Sequence, residues 1–227
     1  MLVLRGLIGG LVQMALFGAL LLIPAGTWHW PRATQFLMVY GFVLLVSIVT
    51  LARLAPESLE ARLSAPVAKS QPVADRFITL LFAVSFLAWL VFISTDVFQL
   101  RLLPPPPVEA AVLGALISFC GYGVIWTSLL QNAFAAPIVK DQSERGQVLI
   151  DSGLYARVRH PFYLGLLLFL FGLALWLGSY AGSIAVLLFL VLMVARIKIE
   201  ERTLVENLPG YAEYTRRVRY RLVPFLW

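Results

Sequence analysis

The sequence predicts an all-α integral membrane protein with about six hydrophobic helical segments, four of them spans and two forming a C-terminal helical hairpin. Three observations carry this. The 227 residues are 60% hydrophobic and only 13% charged, with a mean hydropathy of +0.86, whereas soluble domains carry about 25% charged residues. Charge-free stretches long enough to cross a hydrocarbon core of ~30 Å recur along the chain. The basic residues behind the net charge of +6 collect in alternate connections, which the positive-inside rule explains better than a nucleic-acid partner does. The length suits one integrated domain, divided here into N-terminal helices over 1–135 and a region bearing the polar motifs over 136–227.

The elements follow in order. Leu7 to Ile23 is the first span, closed by Pro24 and Gly26. A span rather than a cleaved leader is expected, because Ala25-Gly26-Thr27-Trp28 leads into a turn and a second apolar run. Trp28 and Trp30 suit the membrane interface. No residue between Arg32 and Arg53 is charged, which gives the second span. The connection from Arg53 to Arg76 is polar, with Pro56, Glu57, Glu60, Arg62, Lys69 and Asp75. A third span runs from Phe77 to about Thr95, and Pro104 to Pro107 form a stiff extended connector. Ala110 to Val139 is again uncharged, a fourth span expected to end in the Asn132–Pro137 region. After the polar stretch from Lys140 to His160, Pro161 to Ala195 carries no charge over 35 residues. One helix of that length would measure about 52 Å. Gly178-Ser179-Tyr180-Ala181-Gly182 at its midpoint predicts two helices of about 16 residues each, somewhat short for a full span.

Arg5, the 53–76 loop, the 140–159 loop and the tail from Arg196 onward fall on one side, and only Arg32 and Arg101 on the other. The N-terminus, the two polar loops and the C-terminus are therefore expected to be cytoplasmic. A single cysteine, Cys120, excludes an internal disulfide. Two histidines, His29 and His160, without a cysteine cluster, argue against a metal site.

Two polar clusters flank the hairpin. One is Gly153-Leu154-Tyr155-Ala156-Arg157-Val158-Arg159-His160-Pro161-Phe162-Tyr163-Leu164-Gly165, the other Arg196-Ile197-Lys198-Ile199-Glu200-Glu201-Arg202. Charge so near the hydrocarbon is costly and often marks function. Pro161 reads as the first residue of a helix, whose free N–H groups and positive dipole end suit an anionic group, with Arg157 and Arg159 adding charge. A capped helix with interface-anchoring arginines fits the same residues. Arg196 and Glu200, at i and i+4, share a helical face, while Lys198 and Glu201 point elsewhere. They read either as a carboxylate for a cation or hydroxyls with an arginine for an anion, or as a salt-bridged helix end. The tail carries Leu204, Leu208, Tyr211, Tyr214 and Val218 among Arg216, Arg217, Arg219 and Arg221, broken by Pro209-Gly210. It is expected to lie on an anionic leaflet as a surface anchor.

The pattern Gly153-x-Tyr155-x3-Arg159-His160-Pro161-x-Tyr163-x-Gly165, then Arg196-x3-Glu200-Glu201 and Tyr211-x2-Tyr214, resembles the isoprenylcysteine carboxyl methyltransferase family, which is related to the membrane phospholipid methyltransferases. The similarity covers about Ala136 to Val218. It implies S-adenosylmethionine as methyl donor, bound in a cytosolic pocket capped by the loop and the tail. It also implies that Gln147, Val148, Leu149, Ile150, Tyr155, His160, Pro161, Tyr163 and Glu200 line that cofactor. Arg196 then faces the methyl acceptor, and with Glu200 makes the expected catalytic pair. Lys140 and Gln147 stand where related members often carry glutamine and histidine, and both are assigned to the cofactor wall. Arg159 and Glu201 are assigned there too.

The chemistry suits the residue supply. Methyl transfer from a sulfonium needs alignment and exclusion of water, and neither a metal nor a covalent nucleophile. The expected partners are membrane lipids and a lipid-like acceptor: a prenylated cysteine carboxylate, an amino-phospholipid or a small thiol. A more remote expectation is a reductase using a reduced nicotinamide cofactor, since membrane sterol reductases carry a similar Arg-His-Pro-x-Tyr run. A non-catalytic carrier would place charges inside the spans, which have almost none.

Overall fold

A computed structural model describes residues 1–63, 73–132 and 148–227 of the chain. All regular structure among the described residues is helical, in the order α1 (Leu2–Ala25), α2 (Pro31–Leu54), α3 (Pro56–Leu63), α4 (Val73–Thr95), α5 (Val108–Gln131), α6 (Pro161–Leu177), α7 (Tyr180–Asn207) and α8 (Tyr211–Arg217). α4 continues into a π-helical turn, Asp96–Leu100. Among the described residues, five helices are long and apolar enough to cross a membrane, and α6 is a shorter apolar one. The protein is an integral multi-pass membrane protein.

Two boundaries differ from expectation, each for a local reason, and the end of the fourth span agrees with it. The polar loop after the second span contains α3, which opens on Pro56 with Glu57 in its first turn and Arg62 in its last, an arrangement that complements the helix dipole. The fourth span ends at Gln131; the uncharged residues 133–139, together with Lys140 and Gln147, lie outside the described residues. The second hairpin helix does not stop at the charged cluster. No helix breaker occurs before Pro209-Gly210, so α7 runs for 28 residues and carries Arg196, Glu200 and Glu201 on its continuation.

The short α6 nonetheless reaches the opposite end of the bundle. A Cβ on Gly178, the turn residue at φ 105°, would stand 2.9 Å from Arg32 at the start of α2 and 3.9 Å from Val97 after α4. Next to it, Asp96 accepts hydrogen bonds from Ser179 Oγ (2.6 Å) and the Leu102 N–H (3.0 Å). Gln99 Nε2 donates to the Pro24 carbonyl at 2.7 Å. The α1–α2, α4–α5 and α6–α7 connections thus meet at one end.

α5 and α6 make the closest helix pair. A Cβ on Gly165 would lie 2.7 Å from the Gly121 carbonyl, and one on Gly114 2.7 Å from the Trp176 backbone nitrogen. Ser118 Oγ donates to the Phe169 carbonyl at 3.2 Å between them. Small residues let membrane helices approach in this way, and a hydroxyl fixes the register. α6 in turn is buried against Phe36, Leu90, Ile93 and Phe189. This contact fixes where the N-terminus of α6 can place His160 and Tyr163.

Candidate functional site

The site begins at Gly153, whose φ of 60° few other residues adopt. It opens a short 3-10 turn, Gly153–Ala156, whose Leu154 N–H donates to Gln131 Oε1 at 2.9 Å. That bond ties the turn to the end of α5 and faces Tyr155 inward, 7% exposed. The chain then pairs with the tail. The Arg159 and His160 N–H groups donate to the Tyr220 and Arg221 carbonyls, both at 2.9 Å. Pro161 starts α6, with His160 as its N-cap residue. The His160 ring stacks on Tyr163 with centroids 5.6 Å apart.

Glu200 and Glu201 are neighbours that face different ways, as successive helical residues must. Glu201 is buried as a hub: its Oε1 accepts from Arg159 Nε at 2.7 Å and lies 3.2 Å from His160 Nε2, and its Oε2 accepts from Arg221 Nε at 2.8 Å. The Arg159 guanidinium also donates to the Val218 and Arg219 carbonyls, at 2.8 and 3.1 Å. These two residues therefore clamp the tail onto the motif. Glu200 Oε2 instead accepts from the Tyr163 hydroxyl at 2.7 Å and borders an open cleft.

The cleft encloses about 90 Å3 and opens to solvent. It brings together eight of the expected residues: Val148, Leu149, Ile150, Tyr155, Arg159, His160, Tyr163 and Glu200. Pro161 is buried and is not part of its lining. Glu201 acts from behind the wall rather than in it. Arg196 borders neither this cleft nor the larger cavity described below; its Nε lies 3.3 Å from Asp75 Oδ1 of α4, and its guanidinium is 6.0 Å from the Tyr163 ring centre.

Residues beyond those expected complete the wall: Arg62, Asn132, Phe162, Leu204, Leu208, Tyr211 and Tyr214. The tail is thus more than a surface anchor. Its apolar face, Leu208, Tyr211, Tyr214 and Val218, packs on Leu149 and Leu204, and Tyr214 donates to the Tyr155 carbonyl at 2.7 Å. Arg217 also pairs with Asp151. The Tyr211-x2-Tyr214 spacing was the available signal for these two. Arg62 had none beyond being a charge in a polar loop.

Burial sets the electrostatics. It pushes the phenols of Tyr155, Tyr211 and Tyr214 up, so all three stay neutral at physiological pH. It also lowers the Arg62 guanidinium to about 10, against a smaller opposing pull from Tyr155 and Tyr122. Arg62 remains charged at neutral pH. The cleft therefore offers one carboxylate fixed by a phenol, aromatic faces, an apolar floor and a cation at its margin.

A second cavity, of about 480 Å3, opens between α1, α2, α3, α4, α5 and α6. Its wall is largely apolar, and its polar side chains bond one another: Gln13 Nε2 donates to Tyr40 Oη at 2.9 Å, and Tyr122 Oη to Ser47 Oγ at 3.0 Å. Arg62 and Phe162 border both this cavity and the cleft.

Residues 110–210 match the family model described as phospholipid methyltransferase. The chain is also 29% identical over 155 residues to the mouse Delta(14)-sterol reductase TM7SF2, a match covering 62% of this chain and 37% of that protein. It is 32% identical over 107 residues to the cobalt-zinc-cadmium resistance protein CzcN of Cupriavidus metallidurans, covering 46% of this chain and 45% of that protein. The matches thus span less than half the length of these two relatives. The family match spans α5 to the Pro209-Gly210 break, so it contains both polar clusters and the hairpin.

Proposed function

We propose that the cleft binds S-adenosylmethionine and that the protein methylates a lipid-like acceptor at the membrane. The observation that carries this reading is Glu200, an acid held in place by Tyr163 on the wall of a mixed polar and aromatic cleft, inside the segment that matches a methyltransferase family. The residues fit the proposed group. A carboxylate suits its ammonium or ribose hydroxyls, the neutral tyrosines and His160 suit adenine, and the apolar floor of Leu149, Leu204 and Leu208 suits its uncharged surface. When bound it supplies a sulfonium methyl: the acceptor's lone pair forms the new bond to carbon as the carbon–sulfur pair stays on sulfur.

The chain's own residues then bind, align and exclude water. Val148, Leu149, Ile150, Tyr155, His160, Tyr163 and Glu200 line the cofactor. Lys140 and Gln147 are assigned to the same wall by the family resemblance. Arg159 and Glu201 hold the tail closed over it. Arg196, joined to Asp75, serves the acceptor side. A carboxylate acceptor needs no base, whereas an amine or thiol must first lose a proton. The acceptor most like the resembled family is a prenylated cysteine carboxylate, with an amino-phospholipid or a small thiol as alternatives. In this reading the cleft, both termini and the polar loops face the cytoplasm, because Arg5, Arg53, Arg159 and the tail share one end.

The likeness to a sterol reductase supports a second reading, a reduced nicotinamide cofactor in the same cleft. That cofactor is a polyanion. Glu200 opposes it, and the Arg159 guanidinium is committed to Glu201 and the tail carbonyls, so the sulfonium cofactor is the better match. The test is transfer of labelled methyl from S-adenosylmethionine to a lipid extract and a small-thiol pool by the purified protein in nanodiscs. Label in either pool supports the reading. No label in any pool, with NADPH consumed when sterols carrying a ring double bond are added, overturns it.

A further inference from the structure

Four tyrosines line the cleft among the described residues, and three of them have engaged hydroxyls. Tyr163 donates to Glu200 Oε2 and Tyr214 to the Tyr155 carbonyl, both at 2.7 Å, while the Tyr155 phenol is hydrogen-bonded to the Asn132 side chain. Neighbouring donors are committed too: Arg159 bonds Glu201 and the tail carbonyls, and His160 Nε2 lies 3.2 Å from Glu201 Oε1. Tyr211 differs. It opens α8 and is 4% exposed, and its hydroxyl is closed off from solvent with no hydrogen-bond partner among the described residues. The ring packs in the tail cluster with Leu204 and Leu208, its centre 5.5 Å from that of Tyr214. A buried donor without a partner is costly and rare in native proteins, and this one stands on the wall of an open cleft.

Charge decides what it can meet. Burial, aided by Glu201 and Glu200, keeps the proton on the Tyr211 oxygen, so the phenol is a donor at physiological pH. The same two carboxylates disfavour an anion beside it. The acceptor that suits this place is a neutral atom with a lone pair. In S-adenosylmethionine the carboxylate is anionic, and the ribose hydroxyls can donate to Glu200. The ring nitrogens of adenine are neutral and only accept, so a carboxylate cannot serve them.

We infer that the Tyr211 hydroxyl reads the base, donating a hydrogen bond to a ring nitrogen of adenine held in the cleft. This rests on the S-adenosylmethionine reading and deepens it. The tail then supplies specificity as well as closure, because a base without that nitrogen leaves the buried hydroxyl unpaired.

The test removes the two partners separately. S-adenosylhomocysteine is titrated beside its 1-deaza, 3-deaza and 7-deaza analogues, each with one ring nitrogen replaced by C–H, and beside 5′-methylthioadenosine, which keeps the base and lacks the amino acid. The proteins are the full chain in nanodiscs as wild type, Tyr211→Phe and Tyr214→Phe, each also melted without ligand. Wild type is expected to bind one deaza analogue at least about tenfold more weakly than the parent, and that analogue identifies the nitrogen. Tyr211→Phe is expected to bind the parent and methylthioadenosine roughly tenfold more weakly than wild type does, and to hold the discriminated analogue within about twofold of the parent. Since it removes an unpaired donor, its ligand-free melting temperature is expected to equal or exceed that of wild type. Tyr214→Phe, which strips the Tyr155 carbonyl of its donor, is expected to melt lower.

Discrimination that persists in Tyr211→Phe overturns the inference. So does a ligand-free melting loss in Tyr211→Phe like that of Tyr214→Phe, which would show the hydroxyl to be partnered within the protein. Weaker binding of S-adenosylhomocysteine with unchanged binding of methylthioadenosine overturns it as well, by moving the contact to the carboxylate. If the parent binds wild type and no deaza analogue differs from it, the cofactor reading stands and the assignment of Tyr211 alone falls. If none of these adenosyl compounds binds wild type, the cofactor reading fails and the inference with it.

Discussion

The Tyr163 hydroxyl donates to Glu200 Oε2 at 2.7 Å, joining the first turn of α6 to the continuation of α7 at the edge of the cleft. Glu200 is thereby held at a fixed angle while its other oxygen remains for a ligand. Hydrogen bonds to a charged group contribute about 1.5–3 kcal/mol. Tyr163→Phe is therefore expected to weaken S-adenosylmethionine binding by roughly 10-fold, and Glu200→Gln by roughly 100-fold, with neither changing the thermal midpoint by more than a few degrees. Titration calorimetry beside a melting curve checks both. A melting loss equal to the binding loss would move Glu200 from ligand binding to structure.

Glu201 predicts the opposite pattern. Its two oxygens hold Arg159, His160 and Arg221, and removing one partner of a buried ionic cluster costs about 3–5 kcal/mol. Glu201→Ala is expected to lower the melting temperature and to release the tail, so that a protease cuts near Arg216 and Arg217 before wild type is touched. Stability equal to wild type would show the clamp to be dispensable.

Arg196 and Asp75 couple the two halves of the chain. Asp75→Asn and Arg196→Gln are each expected to lower turnover at least tenfold while leaving cofactor affinity within twofold. The double variant is expected to lose less than the product of the two, by a coupling of about 0.5–3 kcal/mol. Additive losses would mean that the residues act separately.

The α5–α6 contact admits a direct packing test. A side chain at Gly165 must push against the Gly121 carbonyl and Ile125, whereas Gly123 of the same helix pair faces open space. Gly165→Leu is expected to cost at least about 1–3 kcal/mol through overpacking and to displace Tyr163 with it, so cofactor binding and stability fall together. Gly123→Ala is expected to be neutral or slightly stabilising. Equal effects at the two positions would refute the close approach.

Orientation can be read from the surface. In a Cys120→Ser background, a cysteine at the exposed Glu206 is expected to react with an impermeant thiol reagent from the cytoplasmic side only, and one at the exposed Pro105 from the other side only. The reverse pattern would invert the topology.

Much of the architecture was legible because uncharged stretches of membrane-spanning length are hard to read otherwise. The hairpin turn at Gly178 is legible for the same reason, since 35 uncharged residues cannot form one span. The gathering of Tyr155, His160, Tyr163 and Glu200 about one cleft was signalled by a motif with fixed spacing. What was hidden depends on tertiary packing. Arg62 and Asn132 enter the wall because α3 and the end of α5 happen to meet α6, and no periodicity marks them. The opposite duties of Glu200 and Glu201 are equally invisible in a Glu-Glu pair, because about 100° of helical rotation sends one to the cleft and the other to Arg159. The length of α7 is hidden because a charged cluster marks the end of an apolar run and not the end of a helix.

The central claim is that Glu200 holds S-adenosylmethionine in this cleft. The most direct measurement is calorimetric titration of wild type and Glu200→Gln with S-adenosylmethionine, S-adenosylhomocysteine and NADPH. Saturable binding of both sulfur cofactors by wild type, lost in Glu200→Gln, with no heat from NADPH, is the result predicted. Binding of NADPH alone, or equal binding of the sulfur cofactors by both proteins, would contradict it.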